Sequence, residues 1–287
     1  MVPLSGFTIV RNAVALDFPV VESIRSILPV CDEVVVNVGK SEDGTLELIR
    51  GIDDPRIRIV ETEWDWSDKI MALGRETTRA MRACRHPWGI YIQADEVLHE
   101  SGARILQETV QQVDTDPRVE GLLVRYLHFY GDLGTLATHR RWYRREVRCV
   151  RLDPALDIRA FQDAQGFRVG PGNRKIRARE TDAMMYHYGW ARPPVSIQRK
   201  REFTRSLYPE KERQDRALLP WMPLLRPFTG DHPAVARDWV RERMPAPGER
   251  RMTDPFFHRG WLRLYLSHVF ERVTGIRPFE FRNYEVV

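Results

Sequence analysis

The chain has 287 residues, 43% of them hydrophobic and 30% charged, which is enough apolar material for one large α/β domain and too much for a disordered chain. No apolar run approaches the ~20 residues of a membrane span, and no basic flank with a long apolar stretch opens the chain as a secretion signal would. Three widely spaced cysteines, Cys31, Cys84 and Cys149, argue against a disulfide framework and a cysteine zinc site, so the expected setting is a reducing cytoplasm.

Elements alternate along the first hundred residues. Gly6 to Val10 predicts a buried strand, and Pro19 to Leu28 a helix with Val20, Val21, Ile24, Ile27 and Leu28 on one face. Val34-Val35-Val36 is the second strand, and a helix opens at Thr45 after the loop Gly39 to Gly44. Arg56 to Val60 is the third strand, Lys69 to Cys84 a helix, and Trp88 to Gln93 the fourth strand. This alternation predicts a mostly parallel sheet with helices on both faces. Ligands of such sheets bind beyond the carboxyl ends of the strands. Here those ends carry Arg11-Asn12, the 39–44 loop, Glu61 to Asp65, and Asp95-Glu96.

Further on, Gly121 to Tyr130 and Arg144 to Leu152 read as strands, Pro171 to Asn173 as a turn, and Ala183 to Trp190 as an aromatic-rich segment. Helices separated by prolines follow at Ser196 to Tyr208, Pro233 to Met244 and Gly260 to Thr274. The expected division is therefore a domain over 1–195 and a helical region over 196–287. That second region holds 18 Lys+Arg against 12 Asp+Glu. Such a surplus suits an anionic partner, whether phosphate, acidic glycan, anionic lipid at the inner face of a membrane or nucleic acid, and equally a solvated helical surface.

Adjacent carboxylates at the end of a strand, as at Asp95-Glu96, can hold a hard divalent cation that in turn binds a diphosphate. Three segments share this order: Phe7 to Asn12, the loop Ser41-Glu42-Asp43-Gly44-Thr45, and Gln93-Ala94-Asp95-Glu96. Together they resemble family 2 glycosyltransferases of the GT-A fold, with a Rossmann-like sheet, over about residues 6 to 190. In that family a Ser-x-Asp-Gly-Thr-like loop follows the second strand, and an Asp-x-Asp-type motif ends the fourth. The chain departs from the pattern at Gln93, where the motif's first acid would stand.

The resemblance implies glycosyl transfer from a nucleotide-diphosphate sugar to a glycan or lipid-linked acceptor, of the surface-polysaccharide or lipopolysaccharide type, with inversion. Nucleic acid is not expected as a partner. It implies donor contacts from Val10, Arg11, Asn12, Asp43, Lys69 and Asp95. It further implies that Mn2+ or Mg2+ is held by Asp95 and His187 with Glu96 nearby, and that a base carboxylate lies in the region of Asp163, with Asp153, Asp157 and Glu180 as rivals. Read without it, His187 is a buried histidine among aromatics, Asp163 a turn residue, and Arg75 a solvated helix residue. Trp64 and Trp66 are either core or flank the donor.

No Gly-x-Gly-x-x-Gly, Walker lysine or Gly-x-Ser-x-Gly elbow occurs. A sugar-phosphate nucleotidyltransferase would carry a glycine-rich basic loop where Arg11-Asn12-Ala13 stands. A degenerate, non-catalytic polyanion-binding member of the fold is the alternative that Gln93 favours.

Overall fold

A computed structural model describes residues 1–207, 218–280 and 282–287. Strands β1 (Leu4–Val10), β2 (Glu33–Gly39), β3 (Ile57–Thr62) and β4 (Trp88–Tyr91) are all parallel, in the order β3-β2-β1-β4. Helices α1 (Val20–Ile27), α2 (Thr45–Arg50) and α3 (Lys69–Arg82) connect them. Both faces of this half are covered, so β1, β2 and β4 are buried on both sides and largely apolar, while the edge strand β3 is half-buried. Val34, Val36 and Val38 pack with α1 on one face, whereas Val35 packs with Phe7, Tyr91 and Met81 of α3 on the other. Their alternation follows from the period of two in a strand.

Short β5 (Glu96–Leu98) and helix α4 (Glu100–Val113) follow. Helix α4 was not among the expected elements, although Ala103, Leu106, Val110 and Val113 recur at helical spacing and pack on the α1 face. Beyond it the sheet becomes mixed. β6 (Gly121–Tyr130) returns along β7 (Asp132–Ala137), and β8 (Arg145–Arg151) inserts antiparallel between β4 and β6. The hairpin β9 (Ile158–Phe161) and β10 (Gly166–Val169) leads into β11 (Arg174–Trp190), which runs parallel to β6. The α/β class with helices on both faces is as expected. The sheet, however, is purely parallel only in its first half and mixed beyond β4, and the aromatic segment is the end of one 17-residue strand.

After β11 come α5 (Pro194–Leu207), β12 (Leu225–Pro227), α6 (Arg237–Arg243), α7 (Leu262–Thr274) and β13 (Tyr284–Val286). The expected helix ending at Tyr208 has that last residue outside the described set. This region is continuous with the sheet, because β13 pairs with β11 and β12 with β7. None of the described helices is long and apolar enough to cross a membrane, and the three cysteines are free thiols.

Candidate active site

The carboxyl ends of β1 and β4, the β9–β10 turn, the end of β11 and one face of α5 enclose a cleft of about 730 Å³. Its wall contains Val10, Arg11, Asn12, Asp95, Asp163 and His187. These six come from segments separated by up to 177 residues, and the sheet topology brings them together.

Asp95 and His187 meet through strand pairing. β5 lies antiparallel to β11 with Glu96 opposite His187, and the Tyr188 amide donates to the Asp95 carbonyl at 2.9 Å. Asp95 Oδ2 then lies 3.7 Å from His187 Nε2 and 2.7 Å from the Lys200 ammonium of α5. Gly189 makes room for all three. A Cβ there would lie 2.5 Å from His187 Nε2, 2.6 Å from Asp95 Oδ2 and 2.7 Å from Lys200 Nζ. Burial alone would raise the Asp95 carboxyl, but Lys200, His187 and Arg192 outweigh it and hold the group well below the usual carboxylate range.

A chain of hydrogen bonds orients His187. His128 is buried, and desolvation pushes its imidazole well below the ordinary histidine range, so it is neutral. Its Nε2 donates to the Tyr143 carbonyl at 2.7 Å, which leaves Nδ1 as the acceptor for His187 Nδ1–H at 3.0 Å. His187 Nε2 is thereby turned toward Asp95 Oδ2, and the Lys200 ammonium lies against the same carboxylate oxygen. In its neutral form the ring would offer its Nε2 lone pair to a divalent ion at this place.

Asp95 and His187 fit as two ligands of Mn2+ or Mg2+, with the histidine's tautomer set by its second nitrogen. Among the described residues no group of three or more His, Cys, Asp or Glu side chains could hold a metal ion. The remaining ligands would have to come from a diphosphate and water. Glu96 does not face this site. Its carboxylate takes two hydrogen bonds from Arg148, at 2.8 and 3.0 Å, one from the Tyr126 hydroxyl at 2.7 Å and one from the Gln93 amide at 3.1 Å. Both ionic side chains are fully buried.

Asp163 is presented by a tight turn in which Gln162 and Ala164 both have positive φ, 50° and 61°. That conformation is costly for residues with a Cβ and persists only where the surroundings enforce it. Two contacts do so. The Gly74 amide of α3 donates to the Gln162 carbonyl at 2.9 Å, and a Cβ on Gly74 would approach that oxygen to 2.6 Å. Gln93 Nε2 donates to the Ala164 carbonyl at 3.3 Å. An ionised acid at position 93 has no proton for that bond, so the departure from the acidic motif has a structural role here. Of the rivals, Asp153 caps a short 3-10 turn, Asp157 pairs with Arg82 and Arg159, and Glu180 pairs with Arg145. None of the three is in the cleft wall.

The loop after β2 acts as a clasp. Asp43 accepts from the Ala15 amide at 2.7 Å and from the Thr45 amide at 3.1 Å, while Asn12 exchanges hydrogen bonds with Ser41 and Glu42. Asn12 itself adopts φ 52°. Asp43 thus holds the Arg11–Ala15 segment in shape and lines a smaller neighbouring pocket. Lys69 is exposed at the start of α3, outside the cleft wall. Trp64 is in the wall, packed on Gly39, while Trp66 meets Trp64 at a tilt and Phe203 edge-to-face, with Arg11 over its ring at 5.5 Å.

Sequence reasoning missed Arg199 and Lys200 of α5, and Arg141 and Tyr143 of the loop before β8, all in the wall. Only the basic surplus after residue 195 hinted at the first two.

No protein-family model matches the chain, and no curated protein matches it. Solved structures with partial likeness include S. aureus TarS, with 11% identity over 69% of this chain and 38% of that one and a TM-score of 0.41. A form of S. aureus TarS covering residues 1–349, in complex with UDP, gives 12% identity, 44% and 36% coverage and a TM-score of 0.35. Glucosyl-3-phosphoglycerate synthase from Mycobacterium tuberculosis, in complex with Mn2+, UDP and glucosyl-3-phosphoglycerate, gives 18% identity, 45% coverage of each chain and a TM-score of 0.31. The chain thus spans less than half the length of each, and the ligands are those proteins' own.

Proposed function

We propose that the chain is a glycosyltransferase of the GT-A type that moves a sugar from a nucleotide-diphosphate donor to a glycan or lipid-linked acceptor, with inversion. One observation carries this reading. The β1 end, the Asp95–His187 pair and the Asp163 turn, three features named by the sequence resemblance, converge on one cleft at the carboxyl ends of parallel strands.

In this reading Val10, Arg11 and Asn12 receive the nucleoside, with Trp64 as an apolar wall. Arg11, Arg199 and Lys200 supply positive charge for the diphosphate. A divalent cation on Asp95 and His187 would add charge where the leaving group develops it. Asp163 takes the proton of the acceptor hydroxyl as that oxygen attacks the anomeric carbon, and the bond from that carbon to the diphosphate oxygen breaks. Attack from the face opposite the leaving group inverts the configuration. The 2.7 Å contact of Lys200 with Asp95 favours a second reading in which the ammonium does the cation's work and transfer survives chelation.

The test is thermal stabilisation by UDP and GDP, with Mn2+ and with chelator, in the wild type, Asp95→Asn, His187→Ala and Lys200→Ala. Ligand binding raises stability by mass action. Metal-dependent stabilisation that is lost in the first two variants supports the metal reading. Stabilisation that survives chelator and disappears in Lys200→Ala supports the second. Stabilisation equal in all four proteins, or absent in all, refutes the site.

A further inference from the structure

Helix α7 is turned inside out relative to an ordinary surface helix. Apart from the buried Leu264, the side that faces the protein is polar. Glu271 accepts from Arg144 at 3.1 Å and from Arg277 at 2.8 Å, Ser267 is buried, and His268 meets Arg226 at 3.3 Å. Its apolar side faces outward, with Leu262 55%, Leu266 61%, Val269 59% and Val273 81% exposed. At about 100° per residue these four, with Tyr265 and Phe270, form one continuous strip about 140° wide. Arg263 lies at one edge of the strip and Arg272 at the other. Ile276 and Phe279 continue the exposed apolar surface past the helix, and Phe256 and Phe257 precede it.

We infer that this face docks on an anionic lipid bilayer. An outward apolar strip edged by cationic side chains matches the headgroup boundary, where apolar groups enter the acyl region and arginines reach the phosphates. The charge pattern selects this occupant. From Phe256 to Phe279 the only exposed charged residues are Arg259, Arg263 and Arg272, and the one acid, Glu271, is committed inward. A second copy packed on the same face would bring these arginines against their own counterparts with no carboxylate between them. An anionic bilayer supplies the missing charge. The inference is independent of the transfer reading, because no cleft residue takes part.

The experiment is co-sedimentation of the full chain with vesicles of phosphatidylglycerol and phosphatidylcholine, against phosphatidylcholine alone, together with size-exclusion chromatography. The wild type should bind the anionic vesicles, and binding should weaken as salt rises, since screening shortens the reach of the arginines. Leu266→Glu with Val273→Glu, and separately Arg263→Glu with Arg272→Glu, should each reduce binding about tenfold or more. These positions are exposed, so circular dichroism and the melting temperature should match the wild type. Three outcomes overturn the proposal: no binding to anionic vesicles, equal binding by wild type and variants, or a wild-type dimer that Leu266→Glu with Val273→Glu turns into monomer without any vesicle binding.

Discussion

Asp95 and Glu96 are neighbours in the chain with opposite surroundings. Behind the cleft, Glu96 and Arg148 are fully satisfied. The carboxylate takes four hydrogen bonds, and the guanidinium also donates to the Val147 and Gln165 carbonyls while lying between the rings of Tyr91 and Tyr126. In the cleft, Asp95 has one strong cationic partner, and His187 turns Nε2 toward it at 3.7 Å. Arg192, buried behind Gly189, leaves Nε without a hydrogen-bond partner, and burial lowers its pKa to about 10. A saturated ion pair has nothing left to offer a ligand, whereas an unsaturated one does. Ligand chemistry should therefore be sought at Asp95 and stability at Glu96.

The sharpest way to break this contrast is Glu96→Gln. Removing one partner of a buried pair leaves Arg148 uncompensated, so the change should cost about 3–5 kcal/mol, measured by urea unfolding. Asp95→Asn should cost less, because Lys200 is 15% exposed and can turn toward the cleft. Equal losses would dissolve the distinction between the two carboxylates.

Next in size is Asp163→Asn. The amide keeps the shape of the turn but cannot take a proton, so turnover should fall by ~100-fold or more with donor affinity nearly intact. Near-normal turnover would remove Asp163 from the base role. A product with the donor's anomeric configuration by NMR would remove the single displacement itself.

Gly189→Ala probes the same contrast from the backbone. Its methyl group would displace Asp95, His187 and Lys200 together, an overpacking cost of about 1–3 kcal/mol, and nucleotide-linked stabilisation should fall with it. Wild-type nucleotide binding in this variant would show that the three side chains need not adjoin.

The smallest effect is on pH dependence, where a third kind of buried group enters. Burial holds His139 near a pKa of about 4, against an ordinary value of 6.5. Between those values the unfolded chain carries a proton that the folded chain does not, so stability falls as pH drops from 6.5 toward 4. The loss from this group should be about 1 kcal/mol by pH 5.5. A melting profile that is flat from pH 7 to 4 would show that His139 is not held neutral.

The parallel half of the fold was legible because its determinants are local. Apolar runs in β1, β2 and β4 need no partner to be recognised, and the 3.6-residue period of α1 and α3 shows in any window of a dozen residues. The identity of the cleft's acids was legible for the same reason, since Asp95 follows a strand and Asp163 sits in a turn. What the sequence could not reveal was which neighbour each side chain would find. Nothing local separates Asp95 from Glu96, and their roles diverge because β8 inserts beside β4 and brings Arg148 under one carboxylate only. Lys200 reaches Asp95 across 105 residues, and Gln93 holds the Ala164 carbonyl across 71. The outward apolar strip of α7 has the same periodicity as an inward one. Its direction was decided by Arg144 and Arg277 holding Glu271, a contact between residues up to 127 positions apart. Period and composition are properties of the chain, whereas charge compensation depends on distances that exist only after strands have paired.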